Sequence, residues 1–288
     1  MRISALQSES GMASIAQLDY VELIAELFGF DLETENGRSY LAYLKKILVQ
    51  QLSPEVTGII TDPIYGFDGL SLTAASTGLA LRLEALGRGN NRYQSPRILP
   101  DWGVDTVHNN YGVAKLEIYY HPAEEKSLEK KQLIAETQDF CHYEGIDLLL
   151  MIRLMGAEGG VVKDEEYEEV LLQSVSELAP NCQLLGVEYP GSALTAATLT
   201  AQLDVPWVII SHHVAEAESY DQFKVRVREV VESGAKGFVA GDVLWREIGQ
   251  FRGQDLAPDW EKVEEFLETT ARDRIIELRR ISEEKLET

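Results

Sequence analysis

The stretch Val113-Ala114-Lys115-Leu116-Glu117-Ile118-Tyr119-Tyr120 decides how this chain is read. Side chains alternate between the two faces of a strand, so Lys115 and Glu117 share one face while Leu116 and Ile118 share the other. Seven further short apolar runs bounded by turn residues occur at 12–16, 58–62, 78–83, 148–152, 183–189, 207–211 and 237–241. Between them lie longer amphipathic segments such as 128–143, 165–178 and 220–233, each charged on one face and apolar on the other. Gly145, Gly234 and Gly237 fall where these helices should stop, the position that favours a left-handed glycine. Strands alternating with helices make βα units and a parallel sheet, and eight of them suggest a closed (β/α)8 TIM barrel. The expected organisation is one domain over 1–288, with terminal helices from about residue 259. Periodicity alone does not separate a closed barrel from an open doubly wound sheet, although no Gly-x-Gly-x-x-Gly follows the first strand.

Charge narrows the partners. Lysine and arginine number 26 against 48 aspartates and glutamates, a formal charge of −22, so the average surface repels nucleic-acid backbones and anionic lipid. Neither nucleic acid nor membrane is expected as a partner. Cys141 and Cys182 stand apart with no C-x-x-C spacing, which indicates neither a zinc site nor a disulfide framework and fits a reducing, cytoplasmic setting. No stretch approaches 18 uninterrupted apolar residues, and the first residues lack the apolar core of a signal peptide.

Six landmarks occur in order along nearly the whole chain. They are Thr61-Asp62-Pro63-Ile64-Tyr65-Gly66-Phe67, Gly78-Leu79-Ala80-Leu81-Arg82-Leu83-Glu84, Ala114-Lys115-Leu116-Glu117-Ile118-Tyr119-Tyr120, Gly186-Val187-Glu188-Tyr189-Pro190, Ser211-His212-His213-Val214, and Gly234-Ala235 leading to Gly241-Asp242-Val243-Leu244-Trp245. This set resembles the tagatose 1,6-bisphosphate aldolase family and its sulfofructose-phosphate aldolase relatives. The resemblance implies a TIM barrel and class I chemistry, in which a lysine on the sixth barrel strand forms an iminium with the substrate ketone.

Taken residue by residue, the resemblance fails at the positions with defined chemical duties. Gly186 stands where the family carries its lysine, and Met151 where it carries a proton-transferring glutamate. A thioether cannot shuttle protons at neutral pH. The small Ala-Gly pair that lets backbone amides approach a phosphate corresponds to His212-His213, and the phosphate arginine to Asp242. Asp19 matches a family aspartate, but the following Gln-Arg is Tyr20-Val21.

Strand parity gathers the remaining polar residues at the barrel mouth. The candidate catalytic set is Lys115, Glu117, Glu84, Arg153 and Glu188; the candidate substrate-binding set is Asp19, Asp62, Ser211, His213 and Asp242. Pairing within this set is expected, for example Lys115 with Glu117 or Glu188 and Arg153 with Glu84. No cofactor is expected, and an alternative metal set would comprise His212, His213 and Asp242. Two readings follow. One is a carbon–carbon lyase or related carbonyl enzyme that takes a small carbonyl or sugar-like ligand other than a bisphosphorylated ketose. The other is a catalytically inactive aldolase-like barrel that binds a metabolite or protein partner. Barrels of the resembled family associate, so a homo-oligomer is a further expectation.

Overall fold

A computed structural model describes residues 2–85, 93–212, 218–253 and 257–284. Eight parallel strands close into a barrel: β1 (Ala13–Gln17), β2 (Gly58–Thr61), β3 (Gly78–Arg82), β6 (Val113–Tyr120), β7 (Leu148–Leu154), β8 (Leu184–Val187), β9 (Trp207–Ile210) and β10 (Gly237–Ala240). The order around the barrel is β1-β10-β9-β8-β7-β6-β3-β2, so every consecutive pair of barrel strands is adjacent. Between β3 and β6 lies a small antiparallel pair, β4 (Glu84–Ala85) and β5 (Arg97–Ile98). The fold is therefore the (β/α)8 barrel expected from the eight apolar runs.

The helices that complete the units are α1 (Glu22–Phe28), α2 (Glu35–Leu52), α3 (Val104–Asn109), α4 (Ser127–Glu144), α5 (Tyr167–Leu178), α6 (Ala193–Gln202) and α7 (Tyr220–Glu232). Local sequence fixes their ends: the Thr34 and Ser192 side chains accept the backbone N–H groups of Gly37 and Thr195, and Ser219 with Gln222 forms a reciprocal capping box. After β10 the chain continues through α8 (Trp260–Phe266), a single π-helical turn (Leu267–Ala271) and α9 (Arg272–Glu283).

Alternation along each strand separates two apolar regions. The odd members of β7 and even members of β8 face inward, where Leu149, Met151 and Leu184 join Ala13, Ile15, Ile60, Ala80, Val113, Val208, Ile210 and Val239 in one cluster. The outward members, such as Leu150, Ile152, Leu185 and Val187, pack under the helices. The N-terminal segment plugs the lower end of the barrel. A 3-10 turn at Ile3–Leu6 drives Leu6 into the inner cluster, and the Ile3 amide donates to Asp147 Oδ2 at 2.7 Å. Gly58 and Gly78 make room for it: a side chain at 78 would begin 2.1 Å from the Ala5 carbonyl oxygen.

Gly145 caps α4 at a φ of 69°, as expected, and Gly234 lies just beyond α7. Gly237 does not cap a helix. It opens β10 at a φ of 118°, with its missing side chain facing the Ala13 carbonyl at 1.9 Å, so close strand approach explains this glycine.

Candidate functional site

The C-terminal ends of the strands carry a second, charged layer above the apolar one. Gln17, Asp19, Asp62, Arg82, Glu84, Lys115, Glu117 and Arg153 are each no more than 5 % exposed, and Glu188 is 6 % exposed. Charges withdrawn this far from water are tolerated only when paired.

Lys115 is the hub. Its Nζ donates to Asp19 Oδ2 and Glu84 Oε1, both at 2.7 Å, and lies 3.2 Å from Glu117 Oε2. Burial pulls the ammonium pKa down, but the three carboxylates outweigh it and hold Lys115 well above the usual lysine range. The neutral amine that iminium chemistry needs is therefore suppressed. Glu84 shows the reverse of the same competition. Burial raises it, Lys115 and Arg82 only partly offset that, and Asp19 and Glu117 add to it, so its carboxyl is pushed up to about 7. Its Oε1 meets Lys115, while Oε2 has no hydrogen-bond partner among the described residues. Gln17 ties the cluster together by donating to Asp19 Oδ1 at 3.0 Å and Glu117 Oε2 at 3.1 Å, and its own oxygen accepts from the Tyr20 hydroxyl at 2.8 Å.

Arg153 forms the second half of the layer. Its Nε reaches Glu117 Oε1 and its Nη1 reaches Glu188 Oε1, each at 3.3 Å, and Nη1 also donates to the Ser211 carbonyl at 2.8 Å. The expected pairs Arg153 with Glu84 and Lys115 with Glu188 do not form. Strand order explains the exchange: β7 lies between β6 and β8, so Arg153 meets its neighbours' carboxylates, whereas Glu84 lies beyond β3 on the far side of β6. The Ser211 hydroxyl accepts from the Gly241 amide at 3.0 Å, which ties β9 to β10. His212 sits at the rim with Nδ1 3.3 Å from Glu188 Oε1, and its amide donates to Glu218.

Asp242, the expected charge reversal, is neutralised one turn later by Arg246, whose Nε donates to Oδ2 at 2.9 Å and whose Nη2 contacts the same oxygen. Burial still raises the Asp242 carboxyl, ahead of the opposing pull of Arg246. Asp62 lies in the layer but faces Lys45 rather than the mouth centre, and its Oδ1 accepts the Ile64 and Tyr65 amides at 3.0 and 2.8 Å. Despite burial, Lys45 and Arg82 hold this carboxyl below its ordinary value. His213 lies outside the described residues. Among the described residues no group of three or more His, Cys, Asp or Glu side chains could hold a metal ion.

Sequence reasoning missed Lys45, Arg82, Gln17, Tyr20 and Arg246. Arg82 and Gln17 were within reach of parity, since they stand two residues from the inward Ala80 and Ile15. Lys45 had a weaker signal, a lysine among Leu41, Leu44 and Leu48 on the buried face of α2. It reaches 2.8 Å to the Leu18 carbonyl.

Two positions have their side-chain space filled from elsewhere. A side chain at Gly186 would begin 2.9 Å from Ile210 Cγ2 and 3.1 Å from Met151 Cγ, so those two residues occupy the volume above β8. At Gly241 a side chain would begin 2.6 Å from Tyr20 Cε2, so the Tyr20 ring covers the start of the segment after β10.

No family model matches the chain. It is 24% identical to the tagatose 1,6-diphosphate aldolase of Staphylococcus aureus over 88% of this chain and 91% of that protein. An archaeal fructose 1,6-bisphosphate aldolase superposes with a TM-score of 0.63 at 14% identity, covering 97% of this chain and 96% of the other. A Schiff-base-forming fructose-1,6-bisphosphate aldolase gives 0.60 at 15% identity, covering 93% and 96%. These structural likenesses bear on fold, and the sequence likeness adds descent. With landmarks in order along a closed eight-stranded barrel, the chain is a divergent homologue of the tagatose 1,6-bisphosphate aldolases.

Proposed function

We propose that this chain is an aldolase-like barrel that has lost iminium chemistry and no longer cleaves a bisphosphorylated ketose, its mouth being kept as a closed ion-pair network. The reading rests on the state of its two amine positions taken together. The position that the resemblance assigns to the Schiff-base lysine is Gly186, and its volume is packed with Met151 and Ile210. The nearest alternative amine, Lys115, is held charged by Asp19, Glu84 and Glu117. The phosphate side supports the same reading, since Tyr20 covers Gly241 and Asp242 engages Arg246. On this reading the protein acts by binding a small metabolite or a partner around the mouth.

Incubation with tagatose 1,6-bisphosphate or dihydroxyacetone phosphate, reduction with borohydride and intact-mass measurement tests this directly. The expected result is no adduct on any lysine. A substrate-dependent adduct on Lys115, or release of triose phosphate by the purified protein, would overturn it.

One observation favours a second reading, a carbonyl enzyme that works without an iminium. Glu84 has an oxygen with no partner and a carboxyl pushed up to about 7, the range in which a group exchanges protons at neutral pH. Deuterium incorporation into dihydroxyacetone in heavy water, abolished by Glu84→Gln and unaccompanied by a trapped lysine, would establish it.

A further inference from the structure

Beside the barrel axis, the loops that follow β6 and β7 enclose a cavity of about 550 Å³. Tyr93, Glu124, Glu125, Lys126, Met155 and Glu158 line it, together with the glycine-rich segment 156–160. All these residues belong to connections at the C-terminal ends of the strands, the face on which barrels of this type present their ligand sites. The volume lies within the range of ordinary small-molecule pockets.

The walls are built rather than incidental. Glu124 has a side chain only 4 % exposed, and it is held by the His121 amide on Oε1 at 3.0 Å and by Lys130 Nζ on Oε2 at 2.6 Å. Lys130 also donates to the Tyr93 and Tyr119 carbonyls at 2.8 and 2.7 Å, so its three protons are engaged in the floor and none is offered to a ligand. The Tyr93 ring is set edge-on against Tyr119, with centroids 5.4 Å apart at 89°. The opposite wall is backbone. Gly159 and Gly160 take φ values of 93° and 81°, and the Gly156 and Gly159 amides close a tight turn on the Gly160 and Gly156 carbonyls. Such a turn leaves room that larger residues would fill.

The chemistry of the lining selects the ligand. With Lys130 internally neutralised by Glu124, the wall offers two exposed carboxylates, Glu125 and Glu158, against one ammonium, Lys126. The formal charge of −22 adds to the repulsion of any anion. An aromatic ring and a thioether favour the methylene frame of a cation. We propose that this cavity binds a small organic ammonium compound, its charge directed to Glu125 and Glu158 and its carbon frame lying on Tyr93 and Met155. The site is independent of the loss of iminium chemistry proposed above.

Calorimetric titration of the full chain with putrescine and with glucosamine tests the proposal, with butanediol and glucose as uncharged counterparts. Saturable binding of at least one ammonium probe, weakened by added salt and absent for both uncharged compounds, is the expected result. The double variant Glu125→Gln/Glu158→Gln changes two exposed residues and keeps the buried Glu124–Lys130 pair, so its melting profile should match the parent. Its affinity for the bound probe should fall about fivefold or more, the effect of losing two partly exposed ion pairs. Equal binding of the uncharged compounds, unchanged affinity in the double variant, or no saturable binding of either ammonium probe overturns the assignment.

Discussion

The lower and upper halves of the barrel interior are filled by opposite kinds of side chain. Below, Ile15, Ile60, Val113, Leu149, Met151, Val208, Ile210 and Val239 form an apolar plug closed underneath by Leu6. Above, on the same strands and the same face, Asp19, Glu84, Lys115, Glu117, Arg153 and Glu188 form a paired ionic layer. Packing in the lower half is local and tolerant, because dispersion contacts do not depend on which neighbour supplies them. In the upper half every charge depends on particular partners, because a buried charge left alone costs several kcal/mol. Gly186 lies at the boundary. Apolar residues have taken over a position that resemblance assigns to chemistry, so the boundary between the layers has moved upward on β8.

The strongest way to break this contrast is to remove the hub. Lys115→Met leaves three carboxylates without their shared cation and should cost at least about 3–5 kcal/mol, read as a large drop in the denaturant midpoint or as failure to fold. If the loss were no greater than that of an apolar truncation, the upper layer would not be the interdependent network described. Met151→Ala is that truncation. It opens a cavity in the plug and should cost about 2–4 kcal/mol by the same measurement, with the fold retained.

Glu84 sharpens the comparison through pH. Its folded value of about 7 lies above the ordinary 4.5, so the folded chain keeps this proton longer than the unfolded chain does. As pH rises between those values the unfolded state is progressively favoured, and above about 7 the full difference, on the order of 3 kcal/mol, has been lost. Melting curves from acidic to mildly alkaline buffer should therefore show a decline in the parent that Glu84→Gln lacks. Parallel profiles would mean that Glu84 does not share its cation as described.

The smallest effect is expected at the boundary. Gly186→Ala places a methyl against Ile210 and Met151 and should destabilise by about 1–3 kcal/mol. Combined with Met151→Ala, the same methyl finds space, so the double variant should be more stable than the sum of the single changes implies. Additive losses would show that Met151 does not fill the volume above Gly186.

Parity along the chain was enough to place Lys115, Glu117, Arg153 and Glu188 on one face, because strand alternation is a local property. The pairing among them was not legible. Lys115 takes Glu84 and Arg153 takes Glu188 because of the order in which strands stand around the barrel, and alternation carries no record of that order. Lys45 and Arg246 were harder still, since each reaches the layer from a helical segment rather than a barrel strand.

By itself the sequence determined the eight-stranded architecture, the inward face of each strand, the acidic character and the absence of an amine at position 186, because period, composition and residue identity are properties of the chain. Tertiary structure alone decided that the volume beside Gly186 is filled, that Lys115 is shared among three carboxylates, and that a cavity opens between the loops after β6 and β7. Each of these depends on side chains from separate strands meeting in space. Closure of the sheet brings them together, and separation along the chain does not reveal which will touch.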